Sequence, residues 1–215
     1  MATESKKVVL VMVDISGYTH FIRAQKMSAI HAEEIIFDLL EAVINRAQHP
    51  LTLNKLEGDA VFLYAEVGSS NTREVVRDVV KQAQGFFEAF YERAKTLTQE
   101  RAECDCNAGQ SVHDLRLKVI MHIGKAVFRT IRQFNELAGE DVITVHRLLK
   151  NSIPTREYIL MTESFYALVG RLPNMAHSLR VEQYEDLGAL NIHVFHPQTP
   201  EVKANYIPPI TLGIF

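Results

Sequence analysis

The sequence lacks any apolar run long enough to cross a membrane. Its longest apolar runs, such as residues 8–13, are far shorter than the roughly 20 residues of a transmembrane helix. Residues 1–7 are mostly polar and lead directly into that run, so they do not have the pattern of a secretory signal. We therefore expect a cytoplasmic protein without a membrane span.

The sequence also lacks an excess of positive charge. Lysine and arginine number 23 against 26 acidic residues, which gives a net charge of −3 at pH 7. Nucleic acids and anionic membranes attract strongly basic surfaces. The composition therefore predicts no nucleic-acid partner and no general binding to anionic membranes.

Cysteine is scarce, with only Cys104 and Cys106 in the chain. One intervening residue is poor spacing for a disulfide, and no further Cys or His stands at the spacing of a zinc site. We expect two exposed thiols in a polar loop and no bound metal there.

Linkers and internal repeats are missing as well. No stretch rich in Pro, Gly or Ser divides the 215 residues, of which 47% are hydrophobic and 23% are charged. A chain of this size can bury one full core. We therefore predict a single domain over residues 1–215.

The hydrophobic pattern predicts a mixed set of helices and strands. Helical periodicity covers residues 31–47, 73–97, 141–150 and 162–169. Strands are expected at residues 8–13, 51–55, 60–66, 115–123, 125–131, 158–161, 179–184 and 190–195, and a polar loop at 98–114. The order is ferredoxin-like, which predicts an α+β fold with helices packed over one side of a mixed or antiparallel sheet.

Two aspartates stand where apolar strands end. Asp14 follows the run at residues 8–13, and Asp59 lies in a Gly58-Asp59 turn between two strand-like stretches. Carboxylates at adjacent strand ends, beside the N–H groups of a glycine turn, suit a divalent metal next to a phosphate. Taken alone, Asp14 is explained better as a turn or helix-capping residue, and only Asp59 favours the metal site.

Four short motifs, in this order, resemble the catalytic domain of class III adenylyl and guanylyl cyclases. They are Val13-Asp14-Ile15-Ser16-Gly17-Tyr18-Thr19, Lys55-Leu56-Glu57-Gly58-Asp59, His122-Ile123-Gly124, and Gly139-Glu140-Asp141-Val142 ahead of Arg147-Leu148. The resemblance spans about residues 8–195 and extends to a compact bacterial subfamily of cyclase-like proteins. It implies the class III nucleotidyl cyclase fold and a homodimer with shared sites.

The resemblance also implies a role for each matching residue. Asp14, Asp59 and the Ile15 carbonyl would hold Mg²⁺ or Mn²⁺ against ATP, in the manner of two-metal phosphoryl transfer. The turn that would offer N–H groups to the triphosphate consists of Ile15, Ser16, Gly17, Tyr18 and Thr19.

Four further side chains match family positions. Lys55 matches the lysine that reads adenine, Glu136 its partner acid, Arg147 the arginine that stabilises the transition state, and Lys118 a phosphate-binding residue for the opposite subunit. Each has a simpler explanation. Lys55 and Glu136 are ordinary solvated charges, Lys118 suits a half-exposed strand, and Arg147 suits a helix C-terminus.

Two departures from the family predict impaired or absent cyclase activity. Ile143 stands where the family has an asparagine, and residues 181–188 are acidic where the family has a phosphate-binding lysine. Two other functions remain open. One is an active adenylyl cyclase that makes 3′,5′-cyclic AMP. The other is a module that binds an apolar molecule such as a fatty acid, with Phe86, Phe87 and Phe90 lining a cavity instead of the core.

Overall fold

The structure is a computed structural model, and it describes residues 4–24, 29–101 and 108–197. Cys104 and Cys106, which we expect to carry exposed thiols, lie outside the described residues. None of the helices in the described ranges combines the length and the apolar character that crossing a bilayer requires.

One mixed sheet of eight strands, counted over the described residues, forms the centre of the molecule. The strands are β1 (Glu4–Ser16), β2 (Thr52–Glu57), β3 (Ala60–Glu66), β4 (Arg116–Ile131), β5 (Phe134–Ala138), β6 (Tyr158–Thr162), β7 (Met175–Tyr184) and β8 (Gly188–Pro197). Their order is β2-β3-β1-β4-β6-β8-β7, and β5 pairs with β4. Only the β4–β6 pair among them is parallel, so the predicted mixed sheet is confirmed.

The helices follow the apolar periodicity of the sequence. They are α1 (Tyr18–Ala24), α2 (Ala29–Arg46), α3 (Thr72–Glu100), α4 (Ala108–Ser111), α5 (Glu140–Leu148) and α6 (Glu163–Val169), with a 3₁₀ turn at Val112–Asp114. Phe86 and Phe90 on α3 are fully buried, and Phe87 is 9% exposed. The phenylalanine stripe is therefore part of the core.

Strand β1 is buried on both faces and separates two cores. Successive side chains of a strand point to opposite faces. Val9, Val11 and Val13 pack in the larger core with α2 and α3, whereas Leu10 and Met12 pack in a second core with α5. Helices therefore cover both faces of the sheet, and the expectation of one covered face is corrected by α5.

Two other expectations about the sheet are wrong. Strand β4 continues through Gly124 instead of breaking there, because Gly124 keeps its place opposite Val8 in the ladder. Strand β5 was not expected, since the turn before it contains Arg132 at φ 55° and no glycine. The expected loop at residues 98–114 is also partly helical, because α3 extends to Glu100 and a short helical segment covers residues 108–114.

Candidate functional site

The end of β1 places Asp14 against a lysine on the neighbouring strand. Asp14 lies opposite Lys118 on β4 and opposite Ala60 on β3. The Lys118 Nζ lies 2.9 Å from the Asp14 Oδ2, and the two side chains are 16% and 13% exposed. Burial raises the pKa of Asp14, while the Lys118 charge lowers it. Lys118 is thus a mostly buried ion-pair partner, not the solvated lysine of a half-exposed strand.

Asp59 lies beside Asp14 because a backbone hydrogen bond fixes its turn to β1. The Ile15 N–H donates to the Asp59 carbonyl at 3.1 Å, and Gly58 supplies the positive φ of 66° that the turn requires. Burial, followed by the negative charge of Asp14, raises the pKa of Asp59 to about 6. The structure therefore brings the two predicted acids together.

A third acid, Glu33 on α2, adds to this negative cluster. It accepts a hydrogen bond from the Tyr18 hydroxyl at 3.0 Å, and its charge also raises the pKa of Asp59. Burial, and then this hydrogen bond, raise the pKa of Tyr18. Glu33 carries no sequence signal of a site, because it lies within an ordinary amphipathic helix and not at a strand end.

Carboxylate oxygens are the ligands that Mg²⁺ and Mn²⁺ prefer, so the donor chemistry of Asp14, Asp59 and the Ile15 carbonyl fits a divalent ion. The arrangement is less favourable than the chemistry. Among the described residues, no three His, Cys, Asp or Glu side chains are placed to hold a metal ion together. One Asp14 oxygen is already bound to the Lys118 ammonium, so a metal at Asp14 would meet the positive charge of that lysine.

The turn after β1 has a basic residue over it that the sequence did not indicate. Gly17 has φ 98°, and its carbonyl accepts the Phe21 N–H at 2.9 Å at the start of α1. A Cβ on Gly17 would lie 3.4 Å from Nη1 of Arg156. Arg156 is exposed and forms no ion pair with another described residue. It lies in an irregular segment before β6, where no local pattern marks it.

The two predicted base-reading residues contact each other directly. The Lys55 Nζ donates to the Glu136 Oε2 at 2.8 Å, across 81 residues of sequence. Next to this pair, Asn54 donates to the Asn135 carbonyl at 2.9 Å. The β4–β5 hairpin therefore reaches the edge strand β2. The Lys55 and Glu136 side chains remain 37% and 39% exposed, so a ligand can approach them.

Arg147 on α5 is held by an acid from the β7–β8 turn. Its Nε and Nη2 lie 2.9 Å and 2.6 Å from Oδ2 of Asp186. These groups line a cleft of about 400 Å³ together with Ile143, which is 50% exposed. The acidic terminal segment thus binds the arginine that the resemblance assigns to the transition state.

Two of the cyclase-like motifs contact each other in a structural role. His122 shares hydrogen bonds with Thr162 Oγ1 and Asp141 Oδ1, each at 2.8 Å, and is 7% exposed. The other Asp141 oxygen accepts the Lys125 N–H at 2.6 Å. A Cβ on Gly124 would overlap this carboxylate, so Gly124 leaves the space that it occupies. These residues fix the start of α5 to β4.

Two contacts join the strand ends to α5. The Lys118 Nζ also donates to the Leu149 carbonyl at 3.2 Å, at the end of the helix that carries Arg147. His146 places its Nε2 3.1 Å from the Glu57 carboxylate and its Nδ1 2.7 Å from the Val142 carbonyl. His146 therefore links α5 to Glu57 at the end of β2.

Comparison with solved structures shows that this chain has the fold of class III cyclase domains. The adenylyl cyclase CyaB from P. aeruginosa aligns with a TM-score of 0.71 and 15% identity, over 93% of this chain and 98% of that chain. The guanylyl cyclase Cya2 aligns at 0.67 and 14%, over 91% and 94%. The catalytic core of a rhodopsin-guanylyl cyclase with converted specificity, in complex with ATPαS, aligns at 0.63 and 16%, over 91% and 99%. The predicted fold is therefore confirmed.

Sequence comparison identifies a relative of higher sequence identity. The Mycobacterium tuberculosis protein described as uncharacterized protein Rv2561/Rv2562 is 32% identical over 164 residues, which are 76% of this chain and 74% of that protein. Residues 36–158 match the family described as protein of unknown function, DUF2652. The chain belongs to this DUF2652 family.

Proposed function

We propose that this protein binds an adenine nucleotide with Mg²⁺ or Mn²⁺ in a cyclase-like site and cyclises it very slowly or not at all. The observation that supports the proposal most is the Lys55–Glu136 pair at 2.8 Å, formed between β2 and β5. Lys55 lies in the second motif and Glu136 three residues before the fourth, so they meet only in the folded protein.

The pair has the donor and acceptor that adenine requires. Lysine donates to a ring nitrogen, and a carboxylate accepts from the exocyclic amine. Guanine presents a carbonyl in place of that amine, so Glu136 would face an acceptor without a proton between them. An ion pair of this exposure stabilises a protein by only about 0–1 kcal/mol, so a base can separate the two side chains at low cost.

The phosphate end of the site is formed by the β1–α1 turn. The Ile15 N–H is used by the Asp59 carbonyl, so the N–H groups of residues 16–19 and the side chain of Arg156 would provide donors there, and Asp14 with Asp59 would hold the divalent ion. When bound, such an ion neutralises phosphate charge and lowers the pKa of a hydroxyl that it coordinates. The resemblance to the cyclases assigns no role to Arg156, so this basic residue is identified only by its position in the structure.

Two features of α5 argue for weak catalysis. Ile143 presents a hydrocarbon side chain to the cleft, and it cannot orient a ribose or a nucleophile by hydrogen bonding. Arg147 is bound by Asp186 through two nitrogens, which lowers its positive potential for a phosphate. Loss of one positioned hydrogen bond at a reacting centre typically reduces the rate on the order of 10²–10³-fold.

A homodimer is part of the proposal. Three apolar side chains on β2 and β5 flank the Lys55–Glu136 pair and are exposed, namely Leu53 at 43%, Leu56 at 47% and Phe134 at 57%. A second copy that covers them would also enclose the site, because a twofold interface uses the same patch from both subunits. Sedimentation velocity tests this: wild type is expected to be dimeric and Phe134→Lys monomeric, and a monomeric wild type at high concentration would refute the dimer.

Isothermal titration with Mn²⁺ present tests the nucleotide proposal. Wild type should bind ATP more tightly than GTP, and Lys55→Glu should reverse or remove that preference. Lys6→Glu is a matched control, since Lys6 forms an exposed ion pair with Glu66 on the same sheet, outside the proposed site. Asp14→Ala and Asp59→Ala should each abolish the dependence on the divalent ion. Absence of ATP binding to the wild type would refute the proposal.

A sensitive assay for cyclic AMP and cyclic GMP tests the catalytic part. We expect turnover far below the enzyme median of about 10 s⁻¹. Turnover near about 1 s⁻¹ that disappears in Asp59→Ala would show an active adenylyl cyclase instead.

The apolar-ligand alternative has one feature in its favour. A cavity of about 350 Å³ is lined in part by Ala94, Val112 and Leu115, with Arg116 at its polar side. This volume is near the lower limit for small-molecule sites. A rise in melting temperature with fatty acids, and none with ATP, would favour this function.

A further inference from the structure

We infer that Lys118 is a built-in counter-ion for Asp14, which keeps a divalent ion out of the site until a polyphosphate draws the lysine away. The inference deepens the proposed function and rests on it for the identity of the polyphosphate. The competition itself concerns only Asp14, Lys118 and the cation.

Strand register places Lys118 next to Asp14, so this contact does not depend on a flexible side chain at the protein surface. Asp14 and Lys118 are direct partners in the β1–β4 ladder. The ammonium is further held by the Leu149 carbonyl at 3.2 Å. With both side chains mostly buried, the ion pair is shielded from water and from salt.

A divalent ion and the Lys118 ammonium compete for the same carboxylate group. A metal bound to Asp14 would lie about 2.0–2.6 Å from a carboxylate oxygen, while the ammonium lies 2.9 Å from Oδ2. Two cations this close repel each other strongly in a partly buried site. Each bound cation therefore weakens the binding of the other unless Lys118 moves away.

A polyphosphate relieves this competition because it offers the lysine another anion. The four-carbon stem of lysine can swing the ammonium from Asp14 toward phosphate oxygens near the β1–α1 turn. The metal and the polyphosphate then bind with positive coupling, since each favours the arrangement in which Lys118 has left Asp14. Divalent ions alone are expected to bind weakly.

Mn²⁺ binding without any nucleotide, measured by electron paramagnetic resonance, tests the inference. Lys118→Gln removes the charge but keeps a donor for Asp14 and Leu149, and it should bind Mn²⁺ at least roughly tenfold more tightly than wild type. Lys118→Met is a second neutral variant. Lys125→Gln is the matched control, because Lys125 lies on the same strand with an exposed side chain, and it should bind Mn²⁺ as wild type does. Asp14→Asn added to Lys118→Gln should remove the gain.

Each result decides the question. Equal Mn²⁺ affinity in wild type and a folded neutral variant would overturn the inference, and so would micromolar Mn²⁺ binding by wild type alone. If neither neutral variant folds, the wild-type titration decides, because weak binding supports the inference and tight binding refutes it. The titration contains no nucleotide, so failure of ATP binding would leave its outcome unchanged and would count against the proposed function only.

Discussion

Replacement of Gly124 by alanine should destabilise the protein through one identifiable collision. The added Cβ would lie within 3.0 Å of all three terminal atoms of the Asp141 carboxylate, closer than real Cβ contacts. Asp141 would have to leave both the Lys125 N–H and His122. Hydrogen bonds to charged groups contribute about 1.5–3 kcal/mol each. Asp141 is partly exposed, so water replaces part of these hydrogen bonds. We therefore expect the free energy of unfolding to fall by about 2–4 kcal/mol.

Urea denaturation followed by far-ultraviolet circular dichroism measures the change. A matched control is Gly85→Ala within helix α3, where the three atoms nearest the new Cβ all belong to the flexible, exposed Arg46 side chain. That substitution should be neutral or stabilise the protein by up to about 1 kcal/mol, because alanine favours the helix over glycine.

A double-mutant cycle isolates the collision from other effects of the added methyl group. Asp141→Ala alone should cost about as much as Gly124→Ala, because the same two hydrogen bonds are lost. The double variant should cost no more than about 0.5 kcal/mol beyond Asp141→Ala, because the carboxylate with which the methyl group collides is gone. Additive losses, or a Gly124→Ala variant as stable as wild type, would refute the explanation.

Three further predictions concern α5 and the β7–β8 hairpin. Ile143→Asn, at a half-exposed position, should change unfolding free energy by less than about 0.5 kcal/mol and raise cyclic AMP formation roughly tenfold or more in the same assay. Asp186→Asn releases Arg147, so calorimetry should show severalfold tighter ATP binding at a stability cost below about 1 kcal/mol. Burial, and then the charge of His193, lower the pKa of His177 below 6.5, so this group destabilises the fold as pH falls from 7 through the folded pKa. The melting temperature of His177→Gln should therefore fall less than that of wild type between pH 7.5 and 5.5. An equal fall in the two proteins would contradict this.

The long periodic elements could be predicted because their signal is local. Apolar residues recur over several turns in helices α2 and α3 and form continuous runs in strands β1 and β3. The structure places these elements within a few residues of the expected bounds. Strand β5 forms a hairpin with β4 and was missed because its turn contains Arg132 and no glycine, whereas the unbroken β4 depends on distant partners. The Asp141 carboxylate that requires Gly124 belongs to another element, so its contact leaves no local pattern.

The candidate site shows the same limit. Lys55 and Glu136 resemble ordinary charged residues, and only likeness to the cyclases suggested that they act together. Their 2.8 Å contact depends on how the β4–β5 hairpin meets β2. The Asp14–Lys118 pair depends on strand register between distant parts of the chain. Arg156 and Glu33 were missed because neither lies in a motif or at a strand end.

The central position of β1 has a consequence for synthesis in the cell. Its two neighbours, β3 and β4, are encoded well downstream, so the nascent strand leaves the ribosome long before its second partner exists. At about 5–20 residues per second, the apolar run at residues 8–13 waits several seconds to tens of seconds beside other nascent chains. Charged residues at both ends of that run, Lys7 and Asp14, oppose its intermolecular association. The acid proposed to bind a metal in the folded protein thus also protects the chain before it has folded.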